Sequence, residues 1–175
     1  MPARPLPTAL VAATLTTLLG LQAAVGADRA PASAVPASPA VVRVPVDGTA
    51  RVLRLFDPPA QRWSRGHRGV DVETGWGGLV LAPADGTVAF VGRVVDRGVV
   101  SIDHAGGLRS SLEPVAATVA TGDVVAAGDV IGVVEERSAH CPGPCLHWGV
   151  RRGGTYVDPL GLLAGARDVR LLPRR

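Results

Sequence analysis

Two short stretches carry the residue types from which a metal centre could be built. Gly66-His67-Arg68-Gly69-Val70-Asp71 sets an imidazole and a carboxylate four positions apart. Cys145-Leu146-His147-Trp148-Gly149 offers a second imidazole, 76 positions after Asp71. Imidazole nitrogen and carboxylate oxygen are both good zinc ligands. In extended backbone, residues four apart point the same way, so His67 and Asp71 share a face, and His147 points opposite to Leu146 and Trp148. A helix would also align His67 with Asp71, but Gly69 counts against one. Each half has a plainer reading on its own. The first is more commonly a hydrogen-bonded surface couple, and the second a core histidine held by a backbone carbonyl. The combination raises both.

Such residues need rigid elements to hold them, and from Val42 onward the pattern is that of strands. Runs rich in valine and leucine (VVRVPV, ARVLRLF, GLVLAPA, GTVAFVGRVV, GVVSIDH, DVVAAGDVIGVVEE) alternate with glycine-bearing turns. This spacing predicts an all-β fold, a compact antiparallel β-sandwich or partly open barrel, over residues 42–163. The Gly-x-Val turns also occur in barrels that carry biotin or lipoate, but those need a lysine to modify. All 18 basic residues here are arginine, which excludes them.

The segments outside that region read differently. Residues 1–27 hold one early arginine, an apolar run and small residues at a cleavage spacing, which together read as a signal peptide. The membrane enters the reading only through this segment, if it stays uncleaved. Residues 28–41 are an Ala/Pro/Ser-rich linker, and 164–175 a C-terminal tail with little to bury. The expected location is extracytoplasmic, secreted or in the cell envelope. A net charge of +3 with scattered arginines gives no footprint for nucleic acid.

With these residues in view, the span from about Phe56 to Leu163 resembles the LytM/lysostaphin-type zinc peptidases, which cut peptidoglycan cross-bridges. The matching blocks are GHRGVDVETGWGGLVLAPADGTVAFVG, SIDHAGGL, VATGDVVAAGDVIGVV and CLHWGVRRGGTYVDPLGLL, in that order. The resemblance implies zinc held by His67 and Asp71 of the GHxGxD block and by His147, the last His of the HxH block. Three protein ligands leave a fourth position open, as in catalytic rather than structural zinc.

Two departures from the family pattern stand out. Cys145 occupies the place of the first His in HxH, and Leu112-Glu113-Pro114 align with the family's Tyr-x-His. Both auxiliary histidines are therefore missing. Glu113 and His140 are the candidates to move protons in their stead, and His104 reads as a residue that caps or braces a turn. Cys145 has three competing roles: a fourth zinc ligand, a free thiol, or a disulfide partner of Cys141. An exported setting and the lack of any further cysteine favour the disulfide. Arg151 and Arg152 follow the ligand strand, where one of them could meet an acidic peptide stem. Trp76 and Trp148 suit a groove or a core equally, and Tyr156 and Asp158 mark the strand end that closes the domain.

The expected function is that of an exported zinc-dependent metalloendopeptidase acting on peptidoglycan. The alternative is a catalytically degenerate domain that binds the wall or regulates other wall hydrolases. A structural zinc module, with Cys145 as a fourth ligand, is a third reading.

Overall fold

The computed structural model of the chain describes residues 42–136, 141 and 143–163. The segments read as signal peptide, linker and tail lie outside the described residues, as does His140. In chain order the strands are β1 (Val52–Arg54), β2 (Val70–Glu73), β3 (Leu79–Leu81), β4 (Gly86–Val94), β5 (Arg97–His104) and β6 (Leu108–Glu113). They continue with β7 (Val115–Ala117), β8 (Val124–Val125), β9 (Val130–Val134), β10 (Cys145–Arg152) and β11 (Thr155–Val157). Among the described residues the only helical pieces are single 3-10 turns at Ala105–Gly107 and Leu160–Leu162. The all-β expectation holds.

The strands form two antiparallel sheets. The larger is open and runs β1-β2-β10-β6-β5-β4-β8; the smaller runs β3-β9-β7. On one edge of β10, β2 pairs with Cys145 to Trp148 and β11 takes over at Val150 to Arg152. The other edge of β10 is paired with β6 from His147 to Arg152.

Alternation along the strands decides what lies inside. Val70 and Val72 of β2, Leu112 of β6, Val100 and Ile102 of β5, and Leu146, Trp148 and Val150 of β10 point into one core. Val80, Val115, Ile131 and Val134 of the smaller sheet pack against them. Trp148 is completely buried, and truncating it to alanine would cost on the order of 3–5 kcal/mol. The intervening residues of β2, β6 and β10 therefore emerge on the opposite face of the larger sheet.

Two valine-rich runs depart from the predicted pattern. Among the described residues, the VVRVPV segment makes only isolated bridges, at Val42 and Val46. Pro45 has no N–H to give a ladder, and its carbonyl accepts instead from the Leu81 N–H at 2.9 Å. The run DVVAAGDVIGVVEE divides into β8 and β9, because Asp129 turns the chain by accepting the Ala126 N–H at 2.8 Å.

Candidate metal centre and its cleft

The register of three adjacent strands builds the site. His147 on β10 stands opposite Asp71 on β2 and opposite Glu113 on β6. These three residues form a row across the face that the core does not use. His67 reaches the row from outside the ladder. It precedes β2 and pairs with Asp57 in an isolated bridge, so it is not part of the strand that carries Asp71. Gly69 permits this entry. A Cβ there would lie 2.8 Å from the Gly149 Cα and closer still to the Trp148 carbonyl oxygen.

The hydrogen bonding fixes which atoms face the centre. His67 Nδ1–H donates to the Leu55 carbonyl oxygen at 2.8 Å, so in the neutral ring Nε2 carries the lone pair. That Nε2 lies 3.0 Å from Asp71 Oδ1 and 3.1 Å from His147 Nδ1. The third side of the triangle, His147 Nδ1 to Asp71 Oδ1, is 2.8 Å. His67 and Asp71 are buried, each 3% exposed. A nitrogen lone pair and a carboxylate oxygen at such a distance repel unless a cation is shared between them. Two imidazole nitrogens and one carboxylate oxygen suit zinc, and the triangle accepts an ion at roughly 2.0–2.2 Å from each. The three ligands expected from the sequence are thus brought together, and the site fits the metal.

Cys145 takes no part in that triangle. Its sulfur is joined to Cys141, with the Cα atoms 6.2 Å apart, and its side chain is buried at the start of β10. The fourth-ligand and free-thiol roles fall away, and with them the structural zinc module. The disulfide sits two residues from His147 on the same face of the strand.

Glu113 lines the cleft, and its Oε1 lies 3.1 Å from Arg97 Nη2. Burial opposes charge on Arg97, but Glu113 and Asp96 more than offset it and hold the guanidinium above its ordinary pKa. Arg97 was not foreseen in the sequence. Its place beside Glu113 depends on how β5 is registered against β6, where Val100 stands opposite Leu112.

On the core side, a chain of hydrogen bonds braces the ligand strand. Trp148 Nε1–H donates to Ser110 Oγ at 3.3 Å, and the Ser110 hydroxyl donates to His104 Nε2 at 3.0 Å. His104 Nδ1–H then donates to the Asp85 carbonyl at 2.9 Å. Each donor meets an acceptor with His104 neutral, and burial lowers its pKa in agreement. This is the bracing role expected of His104. Trp148 belongs to the core, whereas Trp76 is 45% exposed.

The cleft continues away from the ligand triangle past Gly149 to Tyr156. Arg151 stands directly across the β10–β11 ladder from Tyr156, its guanidinium carbon 5.5 Å from the ring centroid. Arg68, next in sequence to a ligand, approaches the same ring at 6.0 Å.

Comparison with known proteins agrees with this geometry. Residues 65–159 match the model of peptidase family M23. Uncharacterised proteins of Mycobacterium bovis and Mycobacterium tuberculosis are 45% identical over 127 residues, covering 70% of this chain and 51% of theirs. The chain thus spans about half the length of these curated relatives. A zinc-containing peptidase from Vibrio cholerae is 25% identical with a TM-score of 0.61, over 69% of this chain and 39% of that one. Lysostaphin shares the fold, with a TM-score of 0.55 at 23% identity over 67% of this chain and 51% of its own.

Proposed function

The chain belongs to peptidase family M23, and from that premise we propose that it is an exported zinc-dependent endopeptidase hydrolysing peptide bonds of peptidoglycan. The observation that carries the reading is the convergence of His67 Nε2, Asp71 Oδ1 and His147 Nδ1 at the floor of an open cleft. Zinc held there would supply Lewis acidity toward a scissile carbonyl and activate water near neutral pH. The rest of the work falls to the chain's own residues. The Leu55 carbonyl locks the His67 ring so that Nε2 faces the site. The strands β2 and β10 fix Asp71 against His147 before any ligand arrives. Glu113, oriented by Arg97, is the described residue best placed to accept a proton from the attacking water.

A second reading has its own support. The place of one auxiliary histidine is taken by a disulfide sulfur, and the other by the Leu112-Glu113-Pro114 segment. These replacements favour a degenerate domain that binds the wall or regulates other wall hydrolases. Purified sacculi incubated with the zinc-loaded protein separate the two. Peptide fragments identified by mass, and absent with Asp71→Ala, are the outcome expected of the hydrolase. A protein that carries stoichiometric zinc yet releases nothing from several wall types belongs to the second reading.

A further inference from the structure

The cleft beside the ligand triangle is lined by cations that the fold does not neutralise. Arg68 and Arg151 both lie against the Tyr156 ring, in a cleft of about 780 Å³ that reaches from Pro58 to Thr155. Among the described residues, neither guanidinium has a carboxylate within ion-pairing distance. Asp103, whose carboxyl feels the charge of Arg151, is already gripped by the Nε and Nη2 of Arg109. Acidic residues elsewhere are spent on turns. Asp85, Asp123, Asp129 and Asp158 each accept a backbone N–H.

Arg68 is also held in place. Its Nη2 donates to the Arg62 carbonyl at 2.7 Å and to the Ser64 carbonyl at 3.3 Å. These bonds and the aromatic ring fix the guanidinium plane, which lowers the entropy lost when it grips a ligand. Gly149 lies between the ligand His147 and Arg151 on the same face of β10. Gly149 is itself buried, and a Cβ there would lie 3.1 Å from the Arg68 carbonyl oxygen and 3.8 Å from the Tyr156 ring, so the missing side chain lets Arg68 and Tyr156 close in on the strand between them.

We infer that Arg68, Arg151 and Tyr156 form a carboxylate-binding subsite that selects acidic peptides and sets where they lie relative to the metal centre. This rests on the reading of the cleft as a peptide site. A guanidinium fork grips a planar carboxylate through paired, charge-assisted hydrogen bonds. Each strand residue advances about 3.3 Å, so the bound carboxylate sits roughly 7–13 Å from the ligands, two to four residues along an extended peptide. The substrate class is therefore a peptide with a free carboxylate near the scissile bond, not one built only of uncharged residues.

The test measures binding without catalysis. The full chain, disulfide intact and stripped of zinc by a chelator, is titrated with acetyl-Ala-Glu-Ala-Glu-Ala. The comparison ligand has glutamine for glutamate and an amidated C-terminus. The acidic peptide is expected to bind at least about tenfold more tightly, with the preference fading as salt rises. Arg151→Gln and Arg68→Lys should each remove most of that preference, and Arg152→Gln, one residue on and on the other face, should keep it. Equal affinity for the two peptides overturns the subsite, as does an unchanged preference in a folded Arg151→Gln protein. Because no metal is present, the result is independent of hydrolysis. Preference without cleavage of sacculi leaves the subsite and removes the hydrolase, whereas cleavage without preference removes the subsite alone.

Discussion

Asp71 and His147, separated by 76 residues in the chain, are direct cross-strand partners whose Oδ1 and Nδ1 atoms lie 2.8 Å apart. The carboxylate is buried and already shared with His67. Replacing Asp71 with alanine should therefore empty the centre rather than merely weaken it. Elemental analysis of the dialysed protein is expected to give about one zinc per chain for the unaltered sequence and close to none for Asp71→Ala. Zinc at a hundredfold excess over its Kd should raise stability by about 2.7 kcal/mol in the former and leave the latter unchanged. Full zinc content in Asp71→Ala would place the metal elsewhere.

Glu113 is expected to matter for turnover and not for the metal. Glu113→Gln keeps the shape and the cross-strand position opposite His147. The hydrolysis rate should fall by about 10²–10⁴-fold with zinc content preserved, as for loss of a general base. An unchanged rate would take Glu113 out of proton transfer and turn attention to His140.

Acid should loosen the brace behind the ligand strand. His104 has its pKa lowered from 6.5 in the folded chain, chiefly by burial, so the unfolded chain binds the proton more readily. Its contribution to stability is complete above pH 6.5 and is lost as the pH falls from there through the folded value. Denaturant midpoints at pH 5 and pH 7.5 are expected to differ by less in His104→Gln than in the unaltered protein. An identical pH dependence in both would show that other groups control acid sensitivity.

The disulfide should anchor the start of β10 without supplying a ligand. Its loop spans only four positions, so by chain entropy the link is worth about 2 kcal/mol. The double variant Cys141→Ala, Cys145→Ala is expected to melt several degrees lower yet still to bind zinc. Reductant should lower the melting point of the unaltered protein and have no effect on the variant. Loss of zinc from the variant would make the staple a condition of the site.

The candidate trio His67, Asp71 and His147 was singled out by the resemblance of the GHxGxD and HxH blocks, and for Asp71 and His147 the apolar neighbours also say which way the side chain faces. Val70 and Val72 bracket Asp71, and Leu146 and Trp148 bracket His147. Period-two alternation turns such a pattern into a statement about faces. His67 was assigned to the right face for a partly wrong reason, since it lies ahead of β2 and is turned inward by Gly69 and the Leu55 carbonyl. Backbone acceptors leave no trace in residue types. Arg151 was singled out from the sequence as a candidate contact for an acidic peptide stem, but Arg97, Arg68 and the gathering of Arg68 and Arg151 on Tyr156 were hidden more deeply. Arginine is the only cation in this chain, so one more arginine carries no signal until strand register says which of them share a cleft.

The pairing of β2 with β10 has a consequence in time as well as in space. It joins segments far apart in the chain, and contacts of such long range form late, after shorter loops have closed. Until that ladder zips up, His67 and Asp71 have no His147 to complete the donor set, and affinity for the ion stays low. A nascent or unravelled polypeptide therefore lacks the assembled trio, which comes into being only when this long-range ladder forms.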